Sequence, residues 1–321
     1  ASGTGTLSGT TTVAAVNGVA TFTNLVITGT AGNFTLTFTP TSLTAVTSAS
    51  FAITFGTASA SAITTQPSGA VTSVDFTVQP VCRIVDANGN TVTKEVLLAR
   101  LKDHIKQVVA RYKGKVYAWD VVNEALDDDD SKFYRETDWY KICGEEYIAR
   151  AFEWAHEADP DAKLFYNDYN TEFTGKRDKV YRLLKQLLDA GVPVHGIGLQ
   201  GHWNINNPSE KDLRDAIEKF SSLGLKVQIT ELDVSVYSSN ETDPADNIFT
   251  AEREQKQLEK YKMVFRVFRE YKSVISCVTF WNASDKSSWL DNFPVKGRKN
   301  YPLLFDQNLK PKKVYWEVVK F

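Results

Sequence analysis

The sequence predicts a multidomain protein, with an all-β sandwich over residues 1–93 followed by a β/α-barrel-type domain over residues 94–321. Residues 1–93 carry only three charged side chains, although the chain has 37 basic and 39 acidic residues. Every Trp and Tyr also lies after residue 93. The apolar pattern changes at the same point from alternation to helical spacing. We therefore place a domain boundary near Thr93.

The first domain consists of short runs in which apolar and hydroxyl side chains alternate. Small turn residues such as Asn17-Gly18 and Gly32-Asn33 separate these runs. The pattern is typical of six or seven short antiparallel strands. The clearest predicted strands lie within residues 19–29, 33–40, 51–56, 74–80 and 82–92.

The sequence of this domain resembles the immunoglobulin-like repeats of bacterial secreted and surface proteins. The two halves of the repeat, however, occur in reverse order. A segment like 64–92 normally opens such a repeat, and one like 5–40 normally closes it. We expect residues 1–56 to end one repeat and 57–93 to begin the next, the halves pairing as one circularly permuted sandwich. The domain has no His and only two acidic residues, so a spacer or stalk is favoured. The lack of Trp and Tyr argues against a carbohydrate-binding role.

In the second domain, strand-like runs alternate with amphipathic helical stretches. This order predicts a parallel sheet with right-handed crossovers. In a β/α barrel the carboxyl ends of the strands surround the active site. The predicted strands are 115–124, 162–170, 194–203, 225–234 and 273–282, and the predicted helices are 95–112, 145–158, 179–191, 212–224 and 252–271.

Two predicted strands end in carboxylates that can face each other across the barrel mouth. Glu124 closes WDVVNE, and Glu231 lies in ITELDV three strands later. Because side chains alternate along a strand, Glu231 shares a face with Asp233, and Gln200 shares one with His202. A His between two carboxylates can hold one of them ionised and oriented.

Composition excludes several other classes of function. The net charge is −2 with no basic run, so neither a nucleic-acid footprint nor a polybasic membrane patch is present. Cys82, Cys143 and Cys277 have no metal-ligand spacing, and the apolar run around Cys277 predicts a core position. We predict neither a metal nor a cofactor.

The chain begins at Ala1 and its only methionine is Met263, so we expect a processed or excised piece of a longer product.

Six blocks in the second domain resemble, in order, those of glycoside hydrolase family 10, the endo-β-1,4-xylanases. The resemblance covers essentially all of residues 94–321 and none of 1–93. It implies an extracellular enzyme, secreted or attached to the cell surface, that cleaves internal bonds of xylan or xylo-oligosaccharides with retention. The blocks are WDVVNEA, YNDYN, HGIGLQGH, ITELDV, VTFWNASDKSSWL and PLLFDQNLKPKKVYW.

The resemblance implies that Glu124 is the acid/base and Glu231 the nucleophile. Retaining hydrolysis needs these carboxyl groups about 5–5.5 Å apart. Glu124 is then expected to have a raised pKa, and Glu231 to be ionised. The resemblance implies further roles for the neighbouring residues. Asn123 binds the sugar 2-hydroxyl, Gln200 and His202 line the site, and Asp233 supports His202. Trp281 and Trp289 form an aromatic wall and floor, and Tyr169 and Asn170 lie on the leaving-group side.

The sequence departs from the family in length. The family has eight β/α units, whereas residues 94–321 contain five predicted strands, which match the fourth to eighth. We expect open sheet edges, covered in a homo-oligomer or, failing that, by the sandwich. The absent units normally supply glycone contacts, so we expect weak or altered activity. Two alternatives stay open: a non-catalytic xylan-binding or cell-surface protein, and a glycosidase that acts on β-1,4-glucan.

Overall fold

The computed structural model describes residues 5–29, 32–53, 60–65, 81–85 and 92–320. The chain divides into two units, Ala1–Leu97 and Leu98–Phe321. The division falls close to the change in composition near Thr93, in the first turn of a helix.

The described residues of the first unit contain short strands in four antiparallel pairs: β1 with β2, β3 with β6, β4 with β5, and β7 with β8. These strands are β1 Gly5–Ser8, β2 Val26–Gly29, β3 Gly32–Phe34, β4 Thr37–Phe38, β5 Val46–Thr47, β6 Phe51–Ile53, β7 Ala60–Thr65 and β8 Val81–Val85.

The Asn17-Gly18 turn forms as predicted. Both residues have positive φ, 53° and 80°, and Val16 and Val19 exchange two backbone hydrogen bonds across them. Positive φ at both central positions is typical of a tight hairpin turn. Each described strand pair lies within one of the two expected half-repeats. The predicted strand 74–80 lies outside the described residues, and the permuted sandwich stays a prediction.

The second unit alternates strands and helices, and each of the five predicted strands and five predicted helices is confirmed. The predicted strand 194–203 is divided into two pieces, β11 and β12. The elements are α1 Lys94–Arg111, β9 Ala118–Asn123, α2 Asp138–Cys143, α3 Glu146–Ala158, β10 Lys163–Asp168, α4 Thr174–Asp189, β11 Gly196–Leu199, β12 His202–Asn204, α5 Glu210–Ser221, β13 Lys226–Ser235, α6 Ala251–Glu270, β14 Ile275–Phe280 and α7 Lys313–Val318.

All strand pairs of this unit's sheet are parallel, as the alternation predicted. The order is β9, β10, β11, β13, β14, and β12 pairs with the carboxyl half of β13. Asn167 on β10 is in register with Asn123 on β9, and His202 on β12 with Asp233 on β13. This register brings the polar ends of four neighbouring strands to one edge of the sheet.

Helix α5 shows how local sequence positions the crossovers. Ser209 accepts a hydrogen bond from the Asp212 amide, and the Asp212 side chain bonds back to the Ser209 amide, which forms a capping box. Such a cap stabilises a helix start by about 1 kcal/mol. The buried face of α5 has helical spacing and consists of Leu213, Ala216, Ile217 and Phe220.

The central strands are buried on both faces, whereas the outer strands β9 and β14 are only partly covered. Every residue of β11 is buried, as expected of a parallel strand between helix layers. Within the described residues, β9 pairs only with β10 and β14 only with β13. Cys277 on β14 is exposed, so the prediction of a core position is wrong. The apolar run around it belongs to a strand with a single described neighbour.

Candidate active site

Glu124 follows the last residue of β9 in an uncommon backbone conformation. Its φ is 54°, in the left-handed region that non-glycine residues rarely adopt. The Glu124 amide donates to the Asn167 carbonyl over 2.9 Å, and the Ala125 amide donates to Tyr166 Oη over 3.1 Å. The Tyr166 hydroxyl donates to Asp168 Oδ2 over 2.5 Å. Strand β10 thus holds the end of β9 in a strained conformation, of the kind that clusters at functional sites.

Glu231 lies inside β13, and its side chain is 14% exposed. Asn167 Nδ2 donates to Glu231 Oε1 over 2.9 Å. His202 Nε2 lies 3.1 Å from Glu231 Oε2. Both carboxylate oxygens are therefore held by neighbouring strands, which fixes the direction of the Glu231 side chain.

His202 lies between two carboxylates, as strand alternation predicted. Its Nδ1 is 3.1 Å from Asp233 Oδ1, and the other oxygen of Asp233 accepts from Trp289 Nε1 over 2.8 Å. Both ring nitrogens can donate only when the imidazole is protonated. Burial disfavours the charged ring, but the bonds to Asp233 and Glu231 outweigh burial and raise the pKa of His202 to about 9. An imidazolium at neutral pH thus faces both carboxylates.

A chain of amide side chains joins Glu124 to Glu231. Gln200 Nε2 donates to Glu124 Oε1 over 2.9 Å and to Asn123 Oδ1 over 3.2 Å. Asn123 Oδ1 also accepts from Asn167 Nδ2, which donates to Glu231 as well. The two carboxylates therefore belong to one hydrogen-bonded network built on the ends of neighbouring strands.

Two glycines of HGIGLQGH make room for this network. A Cβ on Gly198 would stand 2.3 Å from Asn167 Oδ1 and 2.8 Å from Thr230 Cγ2. Thr230 Oγ1 donates to the same Asn167 oxygen over 2.6 Å, which fixes the amide with its NH₂ group toward the carboxylates. Gly201 has φ of 80° and divides β11 from β12. Gly198 is therefore needed for space, and Gly201 for its backbone conformation.

The expectation of a raised pKa for Glu124 is wrong for this structure. Burial raises the pKa, but hydrogen bonds from Gln200 and Arg135 and the Arg135 charge together lower it below its ordinary value. Arg135 Nη1 donates to Glu124 Oε2 over 2.7 Å. The raised pKa was expected because a retaining acid/base starts protonated, and that requirement does not reveal a guanidinium supplied by a loop.

An open cleft with a volume of about 770 Å³ runs over Glu124 and Glu231. Trp281 and Trp289 line it and remain 51% and 38% exposed, so their faces are available to a ligand. Phe293 stacks on Trp289 at 5.1 Å between ring centroids and extends the aromatic surface. Flat aromatic faces of this kind offer apolar area to a polar ligand at low conformational cost.

Tyr169 and Asn170 line the same cleft, next to Glu124. The Tyr169 hydroxyl accepts from Arg135 Nη2 over 2.6 Å and donates to Asp128. Asn170 has φ of 58° and an exposed side chain. All ten sequence-predicted site residues thus take part in one network or line one cleft.

Four further residues of the site were not predicted from the sequence. Asn167 belongs to the quoted block YNDYN, and its place in strand register with Asn123 could have indicated it. Asp120 shares WDVVNE with Glu124 and is exposed on β9, near enough to Glu231 for the two charges to interact. Arg135 and Phe293 lie in loops, where no periodicity indicates the direction of a side chain.

Within the described ranges, no group of three or more His, Cys, Asp and Glu side chains is arranged to hold a metal ion. Of the helices in the described part of the chain, none is long and apolar enough to cross a membrane.

Comparison with known proteins connects this site with one enzyme family. The family model for glycosyl hydrolase family 10 matches residues 83–321, so the prediction that the resemblance covers none of residues 1–93 is wrong for residues 83–93. A β-1,4-xylanase of Dictyoglomus thermophilum is 55% identical over 229 residues, which cover 71% of this chain and 65% of the relative. The chain therefore spans about two thirds of that relative's length.

Solved structures match in the same way. Xylanase XynB from Paenibacillus barcinonensis, complexed with a conduramine derivative, superimposes with a TM-score of 0.71 at 50% identity. That match covers 73% of this chain and 71% of XynB. A mutant structure in complex with xylotriose gives a TM-score of 0.71 at 46% identity, covering 73% and 72% of the two chains.

Proposed function

The chain belongs to glycosyl hydrolase family 10, and we propose that it is a retaining endo-1,4-β-xylanase that hydrolyses internal β-1,4-xylosidic bonds of xylan. The observation that carries the proposal is the single network in which Gln200, Asn123 and Asn167 connect Glu124 to Glu231 beneath an aromatic-lined cleft. Relatives that are named xylanases at 50–55% identity support the substrate class.

Each carboxylate has a part in a double displacement. In the first step Glu231 attacks the anomeric carbon while Glu124 gives its proton to the departing glycosidic oxygen. In the second step Glu124 takes a proton from water, whose oxygen replaces Glu231 on that carbon. The bonds from Asn167 and His202 keep the Glu231 carboxylate aimed, which supports its role as the nucleophile.

The positions of the other predicted residues support the roles proposed for them. Asn123, held by Gln200 and Asn167, is the proposed partner of the sugar 2-hydroxyl, whose hydrogen bond strengthens as charge develops at the anomeric carbon. Trp281 and Trp289 form the wall and floor of the cleaved subsite. The proposed leaving-group side carries Tyr169 and Asn170, which line the cleft beside Glu124.

Substrate class is tested with matched aryl glycosides. We expect kcat/KM for an aryl β-xylobioside to exceed that for the corresponding β-cellobioside by about tenfold or more, because the added hydroxymethyl groups must fit a site shaped for xylose. The measurement is the initial rate of phenol release, with reducing-sugar release from xylan and β-1,4-glucan alongside. Higher rates on the cellobioside would indicate a glucan-active glycosidase. Binding of xylan without hydrolysis of any substrate would indicate a non-catalytic protein.

We further propose that the barrel is a truncated one that comprises the fourth to eighth units and that a second copy of the chain covers its open side. The outer strands β9 and β14 each have one described partner, and exposed residues such as Cys277 and Thr279 lie on β14. Open edges and uncovered faces favour pairing with another chain.

Residues 1–93 are proposed to form an immunoglobulin-like spacer of an extracellular protein, supported by their low charge and short antiparallel strands.

Light scattering after size exclusion tests the assembly. We expect the wild-type chain to elute with at least twice the mass of one chain, and Thr279→Lys to shift it toward the monomer because a charge on β14 opposes edge pairing. Ser222→Lys, at an exposed position after α5, is the matched control and should leave the mass unchanged. A monodisperse wild-type monomer would contradict the proposed dimer.

A further inference from the structure

Arg135 makes two side-chain contacts at the proposed acid/base. Its Nη1 donates to Glu124 Oε2 over 2.7 Å, and its Nη2 donates to Tyr169 Oη over 2.6 Å. Its own amide donates to the Ala125 carbonyl over 2.9 Å. Backbone and side chain therefore both attach Arg135 to the segment that carries Glu124.

The partner that holds Arg135 is itself fixed. The Tyr169 hydroxyl, which accepts from Arg135, donates to Asp128. Lys176 Nζ lies 3.0 Å from Asp128 Oδ1 and 3.2 Å from Asp168 Oδ1, and the Lys176 side chain is only 4% exposed. The guanidinium is thus part of a charged network anchored on α4 and is held in place beside Glu124.

The loop that delivers Arg135 folds back on the end of β9. Leu126 and Tyr134 form an antiparallel bridge, and the Asp127 amide donates to the Phe133 carbonyl over 3.1 Å. Lys179 on α4 donates to two carbonyls of the loop. The loop therefore brings Arg135, eleven residues after Glu124 in the sequence, back to the Glu124 side chain.

We infer that Arg135 is a positioning residue that orients the Glu124 carboxylate and favours its base form over its acid form. The inference rests on the proposed function and deepens it. Glu124 must be a carboxylic acid when the glycosidic C–O bond breaks, and a carboxylate when water attacks the glycosyl–Glu231 ester. A fixed positive charge 2.7 Å from one oxygen stabilises the carboxylate form from which the second step starts and disfavours the acid form from which the first step starts.

Other titratable groups surround the pair formed by Glu124 and Arg135. Glu124 and Arg135 are approached from β13, β10, the loop, α4 and α3. The titratable groups that face the pair from these elements are Glu231, Asp168, Tyr169, Asp128, Lys176 and Tyr147, and His202 on β12 lines the same cleft. Arg135→Gln keeps all of them, so a change in the pH profile reports the lost guanidinium charge.

The test is the pH dependence of kcat/KM for two aryl β-xylobiosides, one with a poor and one with a good leaving group. For the poor leaving group, the alkaline limb reports protonated Glu124 in the free enzyme. In Arg135→Gln this limb should move to higher pH, so that on the alkaline side the variant gains about tenfold or more relative to wild type. For the good leaving group, which needs no proton, the two proteins should agree within about twofold on that limb.

Control variants distinguish the loss of the Arg135 charge from a loss of the fold. Arg135→Lys keeps a positive charge and should retain the wild-type limb. Arg150→Gln removes an exposed arginine that pairs with residues of its own helix and should change neither limb. If Arg135→Gln does not fold, Tyr169→Phe, which removes only the hydroxyl that anchors Arg135, should move the limb in the same direction by less.

An unmoved alkaline limb in folded Arg135→Gln, or an equal movement with both leaving groups, would overturn the inference. Failure of the proposed function looks different, because the wild-type protein would then hydrolyse neither substrate at any pH.

Discussion

Glu231→Ala is expected to abolish hydrolysis of xylan and of both activated and unactivated aryl xylobiosides, with kcat falling on the order of 10⁴-fold or more. The reason is that every productive path passes through the bond between Glu231 and the anomeric carbon, whatever the leaving group. Asn167 and His202, which hold the two oxygens of Glu231, then have no carboxylate to orient. Initial rates of phenol and reducing-sugar release measure the loss.

A matched control removes a carboxylate of the same kind elsewhere. Glu259→Ala, on the exposed side of α6, should retain wild-type rates. Circular dichroism should show that Glu231→Ala is folded. Residual activity within about tenfold of wild type in folded Glu231→Ala would exclude Glu231 as the nucleophile.

Glu124→Ala is expected to discriminate between leaving groups. For an aryl xylobioside with a poor leaving group, kcat/KM should fall by about 10²–10⁴-fold, because no acid protonates the departing oxygen. For a good leaving group, kcat/KM should stay near the wild-type value, since the phenolate departs without a proton. The comparison is made from initial rates on both substrates.

The same variant should show slow turnover of the activated substrate at saturation, because no base then activates water in the second step. A small anionic nucleophile such as azide needs no base and should restore turnover. Equal losses on good and poor leaving groups in Glu124→Ala would contradict the acid/base assignment.

Much of the site could be predicted because strand geometry determines it. Alternation along β12 and β13 put His202, Glu231 and Asp233 on facing positions, and the structure has His202 in contact with both carboxylates. The predicted carboxyl ends of two strands indicated Glu124 and Glu231; Glu124 directly follows β9, whereas Glu231 lies inside β13, which continues to Ser235. Side chains that follow period two can be located from the sequence alone.

The rest depended on contacts that no local pattern encodes. Arg135 reaches Glu124 through a loop whose path depends on Lys179 and the Leu126–Tyr134 bridge. The pKa of Glu124 is a balance between burial, which raises it, and the bonds from Gln200 and Arg135, which together lower it.

The exposure of Cys277 also depended on long-range packing. An apolar run predicts a strand, but whether both faces of that strand are covered depends on neighbours distant in sequence. Edge strands therefore differ from central strands in burial even where their sequences look alike.

The central claim, a covalent retaining site built on Glu231, is tested most directly by trapping. A 2-deoxy-2-fluoro xylobioside with a good leaving group slows the second step more than the first, so a glycosyl-enzyme should accumulate. Mass spectrometry of the intact chain and of its peptides is then expected to find one added xylobiosyl unit on the peptide that contains Glu231. Hydrolysis of xylan without any such adduct, or an adduct on a different residue, would contradict this account.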